Sequence, residues 1–288
     1  MRVKALGSAA AAVVLASTAA GCGGHSGPDV AQAVGESMPG MKMAAFEGDG
    51  RTNTVDGYSL VDLHAPNKAG QAGTLSFVIN GPTGKPQTDF TLQQTKLLHL
   101  YVVRGDLTGF EHVHPSLDPK TGKWSVPITF ARPGPYRLVA EFEALKSDGN
   151  FADRILGSDL RIPGTYRPTP YTPTYGTASV AGYTVGLDQT AKANGPNLHL
   201  HFTQGARGVG DLQQYLQSYA HVTGFRKGDL AAVHVHPNEN PPRADPNAVG
   251  GPVLTLASLF TTAGEYRLFV EFQTAGVVHE VPLDIKVG

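Results

Sequence analysis

The chain has 288 residues, 41% hydrophobic and 16% charged, with 35 Gly and 21 Pro. That is enough apolar material for a buried core and enough chain breakers to make it turn-rich, which excludes fibrous and wholly disordered classes. The 23 basic and 24 acidic side chains leave a net charge of −1, too small a field to gather nucleic acid, and the single Cys excludes an internal disulfide framework or a thiolate zinc site.

In chain order, Met1-Arg2-Val3-Lys4 precedes an Ala/Val/Leu run to Leu15 and then Ala19-Ala20-Gly21-Cys22. Two cations ahead of an apolar stretch too short to stay in a bilayer predict a signal peptide over 1–21. Small residues directly before Cys22 resemble a bacterial lipobox, which implies cleavage before Cys22 and lipid on its sulfur. The expected product is extracytoplasmic, anchored to the bacterial cell membrane through Cys22, and mildly acidic, with 21 basic against 24 acidic side chains.

Residues 22–53 are small and polar without apolar periodicity, as in a flexible tether. Met38, Met41 and Met43 place three of the four methionines there, where no core needs filling, and soft thioethers select Cu(I). Compositional drift is the bland account of the same cluster.

Two matching stretches follow, 54–162 and 178–288, separated by a linker over 163–177 whose prolines, Pro163, Pro168, Pro170 and Pro173, are too closely spaced for helix or strand. Gly57-Tyr58-Ser59-Leu60 aligns with Gly182-Tyr183-Thr184-Val185, and Leu75, Phe77 and Ile79 with Leu198, Leu200 and Phe202. His99, His112, His114 and Pro115 match His221, His234, His236 and Pro237 at an offset of 122, and Gly134-Pro135-Tyr136-Arg137-Leu138 matches Gly264-Glu265-Tyr266-Arg267-Leu268. The eight extra residues of the second copy fall in its Pro-rich 238–252 loop. Within each copy, apolar residues alternate between breakers spaced six to ten residues apart, an all-β pattern. Asp211–Ser218 is the sole helical stretch suggested. Tyr136 and Tyr266 sit where a tyrosine corner opens a late strand of an immunoglobulin-like sandwich. The expected fold class is all-β, with two tandem immunoglobulin-like β-sandwich domains.

Both copies carry His-x12-His-x-His-Pro. If a two-residue turn at Gly228-Asp229 joins the strands, His221 faces His236 and His234 faces Thr223, while Val222, Val233 and Val235 take the core side. Gly105-Asp106 would set His99 opposite His112, with His114 alongside and Leu98, Leu100, Val102 and Val113 inward. Three imidazoles on one face, within about 5–8 Å, suit Cu²⁺ or Zn²⁺, so His99, His112 and His114, and equally His221, His234 and His236, are metal candidates, one site per domain. Copper ranks ahead of zinc because of the methionines. Affinity should then fall as pH drops through about 6.5, the ordinary imidazole value. His199 and His201, private to the second copy, could form a secondary site. In each case the competing reading is a polar strand face, or histidines bonded to backbone carbonyls.

His99-Leu-Tyr-Val-Val-Arg-Gly-Asp-Leu-Thr-Gly-Phe-Glu-His-Val-His-Pro115, with the Pro-Gly-Pro-Tyr-Arg-Leu segment over 133–138, resembles YtkA-like extracytoplasmic modules, which are similar in fold to copper-resistance proteins of the CopC type. The resemblance implies an immunoglobulin-like sandwich and metal handling. The second copy departs from it at Ala231-Ala232, where the first has Gly109-Phe110. A metal-free adhesion or scaffold module with an envelope protein partner is the alternative. A bicupin-like metalloenzyme is a third reading, from Gly228-x5-His234-x-His236 with Glu239 nearby. It fails downstream, because Tyr136–Phe142 and Tyr266–Phe272 lack the second motif's histidine; no enzyme activity is expected.

Overall fold

The computed structural model describes residues 46–188, 190–235, 237–242, 245–257 and 260–288. Cys22, Met38, Met41, Met43 and His236, with residues 1–21 expected to be a signal peptide and most of the expected tether, lie outside the described residues. Repeat 1 contains β1 (Thr54–Val55), β2 (Tyr58–His64), β3 (Ala72–Asn80), β4 (Phe90–Thr91), β5 (His99–Arg104), β6 (Glu111–Val113), β7 (Ser116–Asp118), β8 (Lys123–Thr129), β9 (Gly134–Leu145) and β10 (Phe151–Ile162). Repeat 2 contains β11 (Thr177–Val180), β12 (Tyr183–Leu187), β13 (Thr190–Ala191), β14 (Leu198–Gln204), β15 (Arg207–Gly208), β16 (Ala220–Arg226), β17 (Ala232–Val235), β18 (Val253–Leu256), β19 (Gly264–Thr274) and β20 (Val277–Val287).

Each repeat is a two-sheet sandwich. In repeat 1 the order β1-β2-β3-β8-β7 faces β10-β9-β5-β6, with β4 also on β9; in repeat 2, β11-β12-β14-β15, with β18 on β14, faces β13-β20-β19-β16-β17. The alternating residues behave as the pattern requires: Leu75, Phe77, Leu100, Val102, Leu138 and Phe142 are fully buried in one core, and Leu200, Val222, Leu254, Leu268 and Phe272 in the other. Both tyrosine corners form, the Tyr136 hydroxyl donating to the Arg132 carbonyl at 2.7 Å and Tyr266 to Thr262 at 2.8 Å.

Asp211–Ser218 is not helical. Gln213 bridges to Gln273 and Tyr215 to Ser218, with Leu216 and Gln217 at φ of 51° and 58°, so this is a tight turn of the left-handed kind that a helix cannot contain. Repeat 1 has the same turn at Gln93–Lys96, with Gln94 and Thr95 at φ of 45° and 73°.

β5, β16 and the middle of β9 and β19 are buried on both faces, although antiparallel strands usually show water one face. The reason is a third core between the repeats. Tyr101, Val103, Leu107, Phe110, Val139 and Ile155 of repeat 1 pack with Phe225, Ala232 and Phe269 of repeat 2. Phe110 stacks on Phe269 with ring centroids 4.2 Å apart. The linker is extended but docked: the Tyr171 hydroxyl donates to Asp284 at 2.6 Å, and Arg267 donates to the Thr172 carbonyl at 2.8 Å.

The tether reading to residue 53 is too long. Phe46 packs on the inter-repeat core, Glu47 bridges Arg154 in parallel, and Gly50 accepts from Arg137 at 2.9 Å. Asp49 accepts from the Ala232 amide at 2.7 Å. Ala232 is the counterpart of Phe110. A Cβ on Gly157 would lie 1.7 Å from the Gly50 oxygen, so Gly157→Ala is expected to lift residues 46–53 off β10 and to destabilise by about 1–3 kcal/mol. Amide exchange at Gly157, whose N–H donates to Thr52 at 2.7 Å, should accelerate; unchanged protection would refute the clamp.

Candidate metal centre

β5 presents His99, Tyr101 and Val103 on the face opposite the core, and β9 presents Val139 and Glu141 beside them, His99 lying directly across from Glu141. β16 and β19 repeat the arrangement, with His221 across from Glu271. Because these two faces pack together, the histidines that each repeat turns away from its own core meet at the centre of the molecule. His99 and His221 are 1% and 0% exposed, and ring centroids lie 6.2 Å apart for His99 and His221, 5.8 Å for His112 and His221, and 5.7 Å for His221 and His234. His99, His112, His221 and His234 are neither solvent-facing nor segregated by domain.

The expected pairing in repeat 1 shifts by two residues. His112 faces Tyr101, not His99, because the turn centres one residue later than expected, on Asp106 and Leu107: Leu107 takes a φ of 60°, and Asp106 is bound by Arg104 and Thr108. A shift of two preserves the face, so His99, His112 and His114 still converge. In repeat 2 Thr223 faces His234 and Val222 faces Val235, as expected.

His99, His112 and His114 are the one group among the described residues whose donor atoms could hold an ion together, all within 4.8 Å of one another. His99 Nε2 lies 3.0 Å from the Gln93 carbonyl, which can only accept, so the His99 proton is on Nε2 and Nδ1 is an acceptor. His112 Nδ1 lies 2.6 Å from Glu271 Oε2, a carboxylate partner that keeps the His112 proton on Nδ1 and leaves Nε2 as the inner acceptor. These two acceptors are 2.9 Å apart, and His114 Nε2 is 3.2 Å from His99 Nδ1. Donors around a tetrahedral ion with 2.0–2.1 Å bonds stand about 3.3 Å apart, so a small outward movement of the rings accommodates one. The residues present fit a transition metal ion.

Burial drives the His99 pKa down to about 4, its neighbouring imidazoles adding to the effect against Glu141, and drives His114 down to about 3 with help from His112 and His99. Both are therefore neutral ligands across the physiological range. Metal affinity is expected to hold from pH 8 to about 5 and to fall only below that, where protons begin to occupy the ligand nitrogens; a titration midpoint near 6.5 would contradict the buried site. His114, half-buried, is the ligand nearest solvent.

Glu141 and Glu271 were not among the expected site residues. Their signal was a charged residue recurring at the same position of two otherwise apolar strands, Val139-Ala140-Glu141-Phe142 and Phe269-Val270-Glu271-Phe272. Burial pushes Glu141 up to about 7. His199 and His201 project from the exposed face of β14, with rings 6.4 Å apart and His199 3.5 Å from Asp188, well apart from the buried cluster. Glu239, the carboxylate of the cupin reading, accepts from the Thr255 amide at 2.7 Å.

The sequence matches the family described as Domain of unknown function (DUF8832) over residues 53–152 and 178–288. The chain belongs to the DUF8832 family. Each matched stretch falls on one sandwich, the first ending at the start of β10 and the second reaching the end of β20, so each repeat holds one DUF8832 unit. No curated protein matches the chain. Among solved structures it is similar to a chimeric titin Z1Z2, at 13% identity over 80% of this chain and 96% of that one with a TM-score of 0.20. It is similar also to a tetra-tandem repeat from the extending region of a large adhesion protein, at 12% identity over 80% of this chain and 49% of that one with a TM-score of 0.23. A Salmonella alpha-2-macroglobulin matches at 12% identity over 86% of this chain and 16% of that one, with a TM-score of 0.24. The chain thus spans less than two thirds of the latter two. The fold assignment rests on the strand pairing within each DUF8832 unit.

Proposed function

We propose that this protein is a lipid-anchored, extracytoplasmic binder of a transition metal ion, copper in the first instance, at His99, His112 and His114. The observation that carries the reading is the 2.9 Å approach of His99 Nδ1 and His112 Nε2, each an acceptor because its outer nitrogen is committed to Gln93 or Glu271. Two acceptors at that distance need a cation or a shared proton between them, and burial disfavours the proton on His99. Outer partners of this kind set the tautomer and raise ligand basicity. The role is binding without catalysis. The likeness of residues 99–115 to YtkA-like modules, and through them to CopC-type proteins, supports copper, as do the thioethers of Met38, Met41 and Met43.

Titrating the apo-protein with Cu(I), Cu(II) and Zn(II) while following thermal unfolding tests this directly, since an ion that binds only the folded state must raise Tm. Tight binding of Cu(I) or Cu(II) with a raised Tm supports the proposal. Preference for Zn(II) would change the ion, and absence of any shift would leave the histidines as an internal polar seam and favour the scaffold reading, with an envelope protein as partner. For the anchor, Cys22→Ser should move the protein from the membrane to the soluble fraction; a wild type already soluble, or a variant still membrane-bound, would disprove lipidation.

A further inference from the structure

A groove of about 670 Å³ opens beside β10, walled by Arg51, Gly105, Arg137, Asp159, Arg161 and Leu230. It lies at the far end of β5 from the metal centre, since Gly105 follows the last residue of that strand and His99 is its first. The duplication identifies its counterpart. Arg137 and Asp159 are cross-strand partners on β9 and β10, as Arg267 and Asp284 are on β19 and β20. In both pairs the arginine Nε donates to the aspartate, at 2.6 and 3.1 Å. One pair is covered and the other is open: the Asp284 side chain is 0% exposed and that of Asp159 is 73% exposed.

The linker is what covers Asp284. The Tyr171 hydroxyl donates to it at 2.6 Å, and the Tyr171 ring centroid lies 4.7 Å from the Arg267 guanidinium carbon and 4.3 Å from Lys227 Nζ. The linker backbone runs along β20, with the Asp284 amide donating to the Thr174 carbonyl at 2.8 Å and Arg267 donating to that of Thr172. In repeat 1 the strap takes the linker's part, Gly50 accepting from Arg137 as Thr172 does from Arg267. The residue before Gly50 is Asp49, however, which accepts from Arg51 at 2.6 Å, and Gly105 stands at the position of Lys227. The strap also ends its pairing with β10 at Gly157. Among the described residues, the outer edge of β10 has no backbone partner over 158–162. Repeat 1 thus keeps the arginine–aspartate pair, lacks the ring that lies on it, and leaves the strand edge beside it open.

We propose that this groove binds an extended segment of another protein through a tyrosine side chain, in the place that Tyr171 fills in repeat 2. The ring would lie on the Arg137 guanidinium and its hydroxyl would donate to the Asp159 carboxylate, a charge-assisted bond. The segment's backbone would extend the β10 edge as the linker extends that of β20. Residues 22–45 contain no Phe, Trp or Tyr, so the chain's own N-terminal segment does not supply the ring. An open groove does not enclose a small ligand on most of its surface, which favours a segment held by its backbone as well. The site is separate from the metal centre and does not depend on it.

The linker itself provides the probe. A labelled synthetic peptide of residues 168–174, which holds Tyr171 as its one aromatic residue, should bind the full chain saturably by fluorescence polarisation and shift the amide resonances of residues 159–161. Tyr171→Phe in the peptide should weaken binding about tenfold, the worth of a hydrogen bond to a charged group. Asp159→Asn in the protein should weaken the tyrosine peptide equally and leave the phenylalanine peptide unchanged, with near-ultraviolet circular dichroism verifying that the variant is folded. No saturable binding, equal affinity for the two peptides, or shifts confined to the surroundings of Asp284 would overturn the proposal. Tyrosinamide binding as tightly as the peptide would replace it by a small-molecule site, and self-association abolished by Asp159→Asn would replace the partner by a second copy of the chain.

Discussion

His99→Ala is expected to abolish tight metal binding. His99 Nδ1 is the contact common to His112 and His114, at 2.9 and 3.2 Å, so its removal takes away a ligand and the hub that brings the other two together. The loss should exceed the 10–100-fold typical of deleting an outer partner of a metal ligand. For comparison, Glu271→Gln, which perturbs the partner of His112 and leaves all three ligands in place, should fall within that smaller range. Calorimetric titration of both variants provides the measurement. Equal losses would show that the ion does not contact His99, and undiminished affinity in His99→Ala would place the metal elsewhere.

Phe110→Ala is expected to be the most destabilising single change at the seam. Phe110 is 7% exposed, lies 4.2 Å from Phe269 centroid to centroid in a stacked pair, and meets Phe225 edge-on at 6.2 Å. Truncating a buried phenylalanine costs about 3–5 kcal/mol, with part of the loss from the aromatic pair itself. The effect should be felt where the repeats dock, so urea unfolding is expected to separate into two transitions as each sandwich unfolds on its own. A single transition displaced by less than about 1 kcal/mol would mean that the apolar seam does not hold the repeats together. The duplication is asymmetric at this position: repeat 2 has Ala232, whose amide donates to the Asp49 carbonyl of the strap at 2.7 Å.

The candidate metal centre and the packing of the seam are coupled. Glu141 and Glu271 are 3% and 6% exposed, and each finds its histidine across the interface. Separating the repeats would leave two carboxylates and two imidazoles without these partners, which is costly for groups that have given up water. An ion at His99, His112 and His114 would gain from docking through Glu271, which holds His112 from the other repeat.

The sandwiches were legible in the sequence because strand periodicity is local. Leu75/Phe77/Ile79 and Leu268/Val270/Phe272 are large apolar residues at every second position, and the strand geometry then dictates that they turn to one side together. The tyrosine corners and the shared face of His99, His112 and His114 were legible for the same reason, and the face survived even where the loop at Leu107 moved the register, since a shift of two residues preserves it. The duplication was legible because one spacing occurs twice.

Only the tertiary structure decided what the other face of β5 and β16 touches. Alternation assigns His99, Tyr101 and Val103 to the side away from the core, but whether that side meets water or a second sheet depends on contacts between residues more than 100 positions apart, such as Phe110 with Phe269 and His112 with Glu271. No local period encodes such a pairing. Burial of that face turns polar histidines into neutral ligands, joins two expected sites into one cluster and recruits Glu141 and Glu271. The sequence by itself determined two β-sandwiches and which residues each turns outward; the docking of those outward faces made them a candidate metal centre, because desolvation and cross-repeat hydrogen bonds exist only once the two surfaces have met.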